Sequence, residues 1–180
     1  MWKFCDKCGC PVDKEEECCP DCNGSKFHLP TEIKKERISK DEYYLNIALQ
    51  VSKRSTCLKR HYGAIIVNND EIVSTGFNGS PRGCKNCCDI GICKRLNKPH
   101  NSGDYSDCHS VHAEQNAMLS ASRREMIGAT LYLVGEEFID GEWKEVEDSK
   151  PCPICARMIM NAGIYQVKNR EGIIIVPDLI

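Results

Sequence analysis

The chain carries two short segments that decide its fold and its chemistry, His112-Ala113-Glu114 and Pro151-Cys152-Pro153-Ile154-Cys155. One imidazole and two thiolates can hold Zn²⁺ and leave its fourth position for water, as catalytic zinc sites do. The carboxylate of Glu114 then stands beside the metal and is available for proton transfer. The two segments therefore predict a zinc hydrolase site in which Glu114 is catalytic but does not bind the metal.

The spacing within the first segment places it at the start of a helix. His112 and Glu114 are two residues apart, about 200° around a regular helix, so they can face one metal only at a first turn. Pro153 suits the first turn of a second helix, whose positive end favours thiolates at Cys152 and Cys155. The alternative is a closed structural site, completed by a fourth thiolate.

Composition narrows the class of protein. The 180 residues can form one substantial core and a small appendage, and a net charge of −2 exerts no general attraction for nucleic acid. No apolar run approaches the roughly 20 residues needed to span a bilayer. The N-terminus lacks the apolar core of a secretory signal, so we expect a cytoplasmic protein. The 14 cysteines cluster in C-x-x-C pairs, which favours metal sites over disulfides.

Residues 1–24 have the pattern of a separate metal-binding module. Two C-x-x-C pairs are each followed by a turn that contains glycine, and a segment this short cannot close an apolar core. The pattern resembles a zinc ribbon, in which four thiolates bind structural Zn²⁺; the expected ligands are Cys5, Cys8, Cys19 and Cys22. Cys10 and Cys18 are alternatives in a shifted register. Residues 25–38, which include Pro30, are predicted to be a linker, and 39–180 the main domain.

The main domain is predicted to alternate helices and strands. Ser39-Lys40-Asp41-Glu42 is a capping box that opens a first helix ending near Ser52. The later elements are predicted as strands 62–67 and 71–75, a long loop 76–110, a helix 111–124, a strand 129–134, an exposed acidic hairpin or insertion 136–150, a helix from Pro153 to about Ala162, and strands 164–168 and 172–176. This order predicts an α/β fold with three layers, an α/β/α sandwich around a mixed sheet.

The combination H-x-E with P-C-x-x-C is the signature of zinc-dependent nucleobase deaminases. Over residues 39–170 the chain resembles the deoxycytidylate (dCMP) deaminase family of the cytidine deaminase superfamily, through Gly63–Val67, Ser74–Pro81, the cysteine-rich loop and His112–Ala117. The resemblance implies hydrolytic deamination of dCMP to dUMP, which supplies thymidylate synthesis, and a sandwich of the cytidine deaminase type. It further implies that Asn78 contacts the deoxyribose hydroxyl and that the Ala64 backbone contacts the base.

The resemblance also implies a positive pocket for the 5′-phosphate. The candidate cations are Arg54, Lys59, Arg60 and Arg82, and Arg123 falls where the family has an arginine near nucleotide and subunit contacts. The chain departs from the family at Asn169, where a pocket tyrosine is common, and in the length of the acidic segment 136–150. Both departures concern substrate specificity.

A second structural zinc in the long loop is a further implication of the resemblance. The expected ligands are Cys57, Cys87, Cys93 and Cys108, with Cys84, Cys88, His100 and His109 as alternatives. The implied partners are a nucleotide substrate, other copies of the chain in a homo-oligomer such as a hexamer, and the effectors dCTP and dTTP with Mg²⁺.

Other functions are kept open. One is deamination of another cytosine compound, of guanine or of a tRNA adenosine. A different class is an interaction protein whose ribbon binds a partner or nucleic acid, although the acidic ribbon matches phosphate poorly.

Overall fold

A three-stranded sheet forms the core of the first of two structural units. The computed structural model describes residues 2–29, 36–98 and 106–179, and the chain divides into units 1–37 and 38–180. In the first unit, β1 (Trp2–Cys5) lies between β2 (Pro11–Asp13) and β3 (Phe27–His28), antiparallel to both. The third strand falls inside the predicted linker 25–38, so the module is longer and the linker shorter than predicted. Pro30 lies outside the described residues.

A mixed sheet organises the second unit. Its strands follow the order β5-β4-β6-β8-β9, with β7 paired to β6, and only the β6–β8 pair is parallel. The elements are α1 (Lys40–Ser52), β4 (Arg60–Asn68), β5 (Glu71–Phe77), α2 (Cys87–Ile90), α3 (Ala113–Leu119), α4 (Arg123–Met126), β6 (Thr130–Ile139), β7 (Glu142–Glu145), α5 (Pro153–Ala162), β8 (Gln166–Asn169), β9 (Gly172–Ile175) and a short 3₁₀ helix (Val176–Leu179).

Helices cover both faces of this sheet. Successive side chains of a strand point to opposite faces, so Ile65 of β4 packs with Ala48 of α1, whereas Ile66 packs with Ala117 of α3 and Ile159 of α5. All five are fully buried. The predicted three-layer α/β/α sandwich is confirmed.

Local signals set most helix ends. The Ser39 side chain accepts a hydrogen bond from the Glu42 N–H at 3.1 Å, α5 begins at Pro153, and Gly163 ends it with a positive φ of 87°. The predicted single helix 111–124 is wrong, because Ser122 caps a separate helix, α4, by accepting from the Glu125 N–H. Among the described residues, no helix has both the length and the apolar character needed to cross a membrane.

The acidic segment 136–150 forms the predicted hairpin. β6 continues to Ile139, the turn Asp140-Gly141 has positive φ at both residues, and β7 is exposed along its length. One acid is nevertheless buried: Glu136 accepts from Lys53 Nζ at 2.5 Å and from Ser52 Oγ at 3.3 Å. This ion pair fixes the start of the hairpin against the end of α1.

Candidate active site

Two helix starts bring an imidazole and two thiols together. His112 is the residue before α3, and Cys152 is the residue before α5. The Nδ1 atom of His112 lies 3.6 Å from Cys152 Sγ and 3.5 Å from Cys155 Sγ. A nitrogen and a sulfur bound to one tetrahedral Zn²⁺ lie about 3.6 Å apart. The three donors therefore fit the metal in identity and in spacing.

The two thiols interact strongly with each other. A hydrogen bond from Cys155 lowers the pKa of Cys152 to about 3, with a smaller contribution from His112. The same contact and burial raise the pKa of Cys155. Cys152 therefore loses its proton more readily than Cys155, and a bound Zn²⁺ would displace the proton of Cys155 as well and hold both as thiolates.

Glu114 lies beside this set but is not part of it. Its carboxylate is not among the grouped ligand atoms, which all lie within 4.8 Å of one another. The side chain is buried, and burial raises its pKa, partly opposed by hydrogen bonding to its own backbone N–H and by the charge on His112. A raised pKa makes the carboxylate a better proton acceptor, as a residue that both accepts and returns a proton requires.

Close packing fixes the helix that presents these groups. A Cβ atom at Gly76 would lie 2.2 Å from the carbonyl oxygen of Ala113 and 2.3 Å from the nitrogen of Ala117. Only glycine therefore lets α3 rest directly on β5. The Asn116 amide donates to the Phe77 carbonyl at 2.7 Å and holds the same helix to the end of that strand.

A cavity of about 360 Å³ opens over the triad. Asn78, which the resemblance implies contacts the deoxyribose hydroxyl, lines the cavity and is itself buried. Its Oδ1 accepts from the Tyr62 N–H at 2.7 Å and from Ser55 Oγ at 2.7 Å, and its Nδ2 donates to the Arg60 carbonyl at 2.9 Å. Within the described residues these bonds leave one Nδ2 hydrogen for a ligand.

Among the described residues, four cations also line the cavity: Lys59, Arg60, Arg95 and Lys150. The first two are among the sequence candidates. Arg60 pairs with Glu137, and its buried Nε has no hydrogen-bond partner among the described residues. Arg95 and Lys150 were missed, because they come from the aperiodic loop and from the end of the acidic insertion, where sequence alone gives no direction to a side chain.

Other residues named in the sequence analysis do not line this cavity. Ala64 is fully buried at mid-strand, with β5 and β6 paired on either side; Ala113, at the start of α3, lines the cavity instead. Arg54, Arg82 and Arg123 are exposed and do not line it. Asn169 is buried away from the cavity: its Oδ1 accepts from the Gly172 N–H, and its amide donates to the Ser149 carbonyl. It therefore holds the β8–β9 turn and the end of the insertion.

The four cysteines predicted to bind a second structural zinc do not lie close enough together to share one ion. Across residues 2–29, 36–98 and 106–179, three or more donor atoms come within 4.8 Å of one another in two sets only, the triad and the four ribbon cysteines. Cys57, Cys93 and Cys108 are near enough to raise the pKa of Cys87, after the effect of burial. These four cysteines come from separate segments, so no turn fixes their distances. Of the alternatives, His100 lies outside the described residues.

The fold and the site define a class: an α/β/α sandwich with a buried glutamate and a His-Cys-Cys set that fits a zinc ion. The family model described as the cytidine and deoxycytidylate deaminase zinc-binding region matches residues 38–169. The chain belongs to this family, and the predicted fold and family are confirmed.

Individual relatives agree with the family. The chain is 35% identical over 153 residues to the deoxycytidylate deaminase of Schizosaccharomyces pombe, covering 79% of this chain and 42% of that protein. It is 36% identical over 133 residues to the deoxycytidylate deaminase of Mycobacterium phage D29, covering 71% and 91% respectively. A crystal structure of cyanophage S-TIM5 dCMP deaminase with dCMP and dUMP matches with a TM-score of 0.52 and 25% identity, covering 79% of this chain and 93% of that one.

Proposed function

We propose that this protein is a zinc-dependent dCMP deaminase, which replaces the C4 amino group of dCMP with oxygen from water and releases dUMP and ammonia. The observation that carries the proposal is the buried Glu114 beside the His112, Cys152 and Cys155 donors at the base of a cavity lined by cations. The deoxycytidylate deaminase names of the relatives support the same reaction.

The residues of the site divide the chemistry between them. When bound to His112, Cys152 and Cys155, Zn²⁺ lowers the pKa of a water molecule and makes hydroxide available at neutral pH. Glu114 accepts one proton from the water and delivers it to the ring nitrogen N3 as the water oxygen adds to C4. It then takes the remaining proton from the new C4 hydroxyl and gives it to the departing amino group, so that a C4 carbonyl forms and ammonia leaves. Because Glu114 is not a ligand, its carboxylate is free to carry out these transfers.

The cavity favours a phosphorylated substrate. In the part of the chain that the structure describes, its lining carries the four cations named above against two acids, Glu114 and Asp148, and Asp148 pairs with Lys150 at 2.9 Å. A 5′-phosphate can compete for the lysine and can accept from the arginine N–H groups. The remaining Nδ2 hydrogen of Asn78 can donate to the deoxyribose hydroxyl.

A substrate panel tests the assignment. With dCMP, dCTP, CMP, deoxycytidine and guanine as substrates, ammonia release should have its highest kcat/KM on dCMP. Deoxycytidine and guanine should be poorer because they carry no phosphate to engage the cations, and CMP should be poorer because Asn78 is proposed to contact the sugar of a deoxynucleotide. We expect deoxycytidine to be at least about 10²-fold poorer, since the loss of a charge-assisted contact costs a few kcal/mol. A preference for deoxycytidine or guanine would overturn the substrate assignment.

Two matched variants locate the phosphate contact. Lys150→Gln should narrow the dCMP preference over deoxycytidine, mainly through a higher KM for dCMP. Arg82→Gln removes a cation that lies outside the cavity and should leave the ratio unchanged. An equal effect of both variants would show that general charge, and not the cavity, selects the nucleotide.

Regulation and assembly are part of the proposal. The chain is proposed to form a homo-oligomer such as a hexamer that dCTP with Mg²⁺ activates and dTTP inhibits. Light scattering and the same ammonia assay, with each nucleotide added in turn, test these points. If neither dCTP nor dTTP changed the rate of ammonia release, the proposed regulation would be wrong, but the proposed reaction would be unaffected.

A further inference from the structure

The four ribbon cysteines form a second metal centre, outside the segment that the family model matches. We propose that Cys5, Cys8, Cys19 and Cys22 bind one structural Zn²⁺ that holds the first unit together. The family match begins at residue 38, so this centre is separate from the deaminase zinc and does not rest on the proposed function.

The distances fit a tetrahedral ion. Cys5 Sγ lies 3.5 Å from Cys22 Sγ, and Cys8 Sγ lies 3.6 Å from Cys19 Sγ. Two sulfurs bound to one tetrahedral Zn²⁺ lie about 3.8 Å apart. All four sulfurs lie within 4.8 Å of one another. All 14 cysteines of the chain lie in described residues, and each is a free thiol.

The two C-x-x-C turns have the same backbone conformation and hydrogen bonding. In the first C-x-x-C turn, the Gly9 N–H donates to the Cys5 carbonyl at 2.8 Å, and in the second the Asn23 N–H donates to the Cys19 carbonyl at 2.8 Å. Gly9 and Asn23 both have positive φ, 76° and 54°. Two equivalent turns present two sulfurs each to a common point, as a metal centre with four thiolates requires.

Gly24 leaves space beside two of the sulfurs, because it has no side chain. A Cβ atom at Gly24 would lie 2.8 Å from Cys5 Sγ and 3.3 Å from Cys22 Sγ. Any side chain at this position would press on the ligand sulfurs. The grouping favours the register with Cys5, Cys8, Cys19 and Cys22, because Cys10 and Cys18 are not in the set.

The first unit needs such an ion to fold. Among residues 2–29 and 36–37, its fully buried apolar residues are Cys5, Val12 and Cys19, with Phe27 and two further cysteines packed against them. A core of this size cannot offset the entropy of ordering about 30 residues. Binding of Zn²⁺ by thiolates supplies folding free energy directly.

Zinc content of the full chain tests the proposal. Protein purified under reducing conditions with Zn²⁺ should lose one zinc per chain in the double variant Cys19→Ser/Cys22→Ser. The control Cys18→Ser changes an exposed thiol next to a ligand and should keep the wild-type content. Equal zinc in the double variant and the wild type would overturn the proposal, as would disulfides among these cysteines by mass spectrometry.

X-ray absorption on the wild-type protein gives a test that needs no variant. A ribbon site with four sulfurs and a triad with two give a mean of roughly three sulfurs per zinc or more, whereas the triad alone gives about two. A mean of two would overturn the ribbon site. Neither measurement depends on enzyme turnover. If the deaminase proposal failed, the zinc result for the ribbon would still stand, and if the ribbon zinc were absent, the deaminase proposal would still stand.

Discussion

Replacing Glu114 with glutamine is expected to lower kcat on dCMP by about 10²- to 10⁴-fold, which is the usual contribution of a positioned acid–base group. Glutamine keeps the shape of the side chain but can neither accept the proton nor return it to N3 and the leaving amino group. Zinc content should stay at the wild-type level, because the metal donors are His112, Cys152 and Cys155. Ammonia release and metal analysis on the same preparation measure both quantities.

The controls separate the proton carrier from the metal ligands. Glu142→Gln changes an exposed acid on β7 and should leave kcat unchanged. His112→Ala removes a donor and should lose activity and the catalytic zinc together. If Glu114→Gln also lost that zinc, the carboxylate would be a ligand, and the role proposed for it would be wrong.

The parts that the sequence predicts well are those encoded within a few residues. Ser39, Pro153 and Gly163 set helix ends through their own backbone chemistry, and the structure confirms all three. The assembly of His112 with Cys152 and Cys155 follows from two helix starts, because a helix start directs its first residues toward one point. The sequence also contains the signal for the helix break at Ser122, since Ser122-Arg123-Arg124-Glu125 has the same S-x-x-E pattern as Ser39–Glu42 and forms a capping box in the structure.

The parts that depend on long-range packing could not be predicted. Arg95 and Lys150 reach the cavity from segments without periodicity, and Ala64 is shielded by strands on both sides. The loop cysteines illustrate the same limit: a C-x-x-C turn fixes its own sulfur spacing, but Cys57, Cys87, Cys93 and Cys108 depend on how four segments meet.

Gly76→Ala is expected to damage both the stability of the second unit and the geometry of its site. The added Cβ would lie 2.2 Å and 2.3 Å from two backbone atoms of α3, and no side chain can rotate to relieve the contact. The helix must move by more than 1 Å, which we expect to cost about 3 kcal/mol of unfolding free energy. Because α3 follows His112 and carries Glu114, we also expect kcat/KM to fall about 10²-fold, the usual effect of such a displacement.

Thr75→Ala is the matched control, because Thr75 is the neighbouring residue of β5 and is exposed. It should cost less than about 1 kcal/mol, from strand preference alone, and leave kcat/KM unchanged. Urea unfolding and ammonia release at a temperature where both variants are folded separate the two effects. Lower stability with unchanged kcat/KM in Gly76→Ala would mean that α3 recovers its position and that the close approach serves only the fold. Unchanged stability of Gly76→Ala would mean that β5 moves to accommodate the added Cβ while α3 stays in place. The close packing of α3 on Gly76 would then not be what positions Glu114.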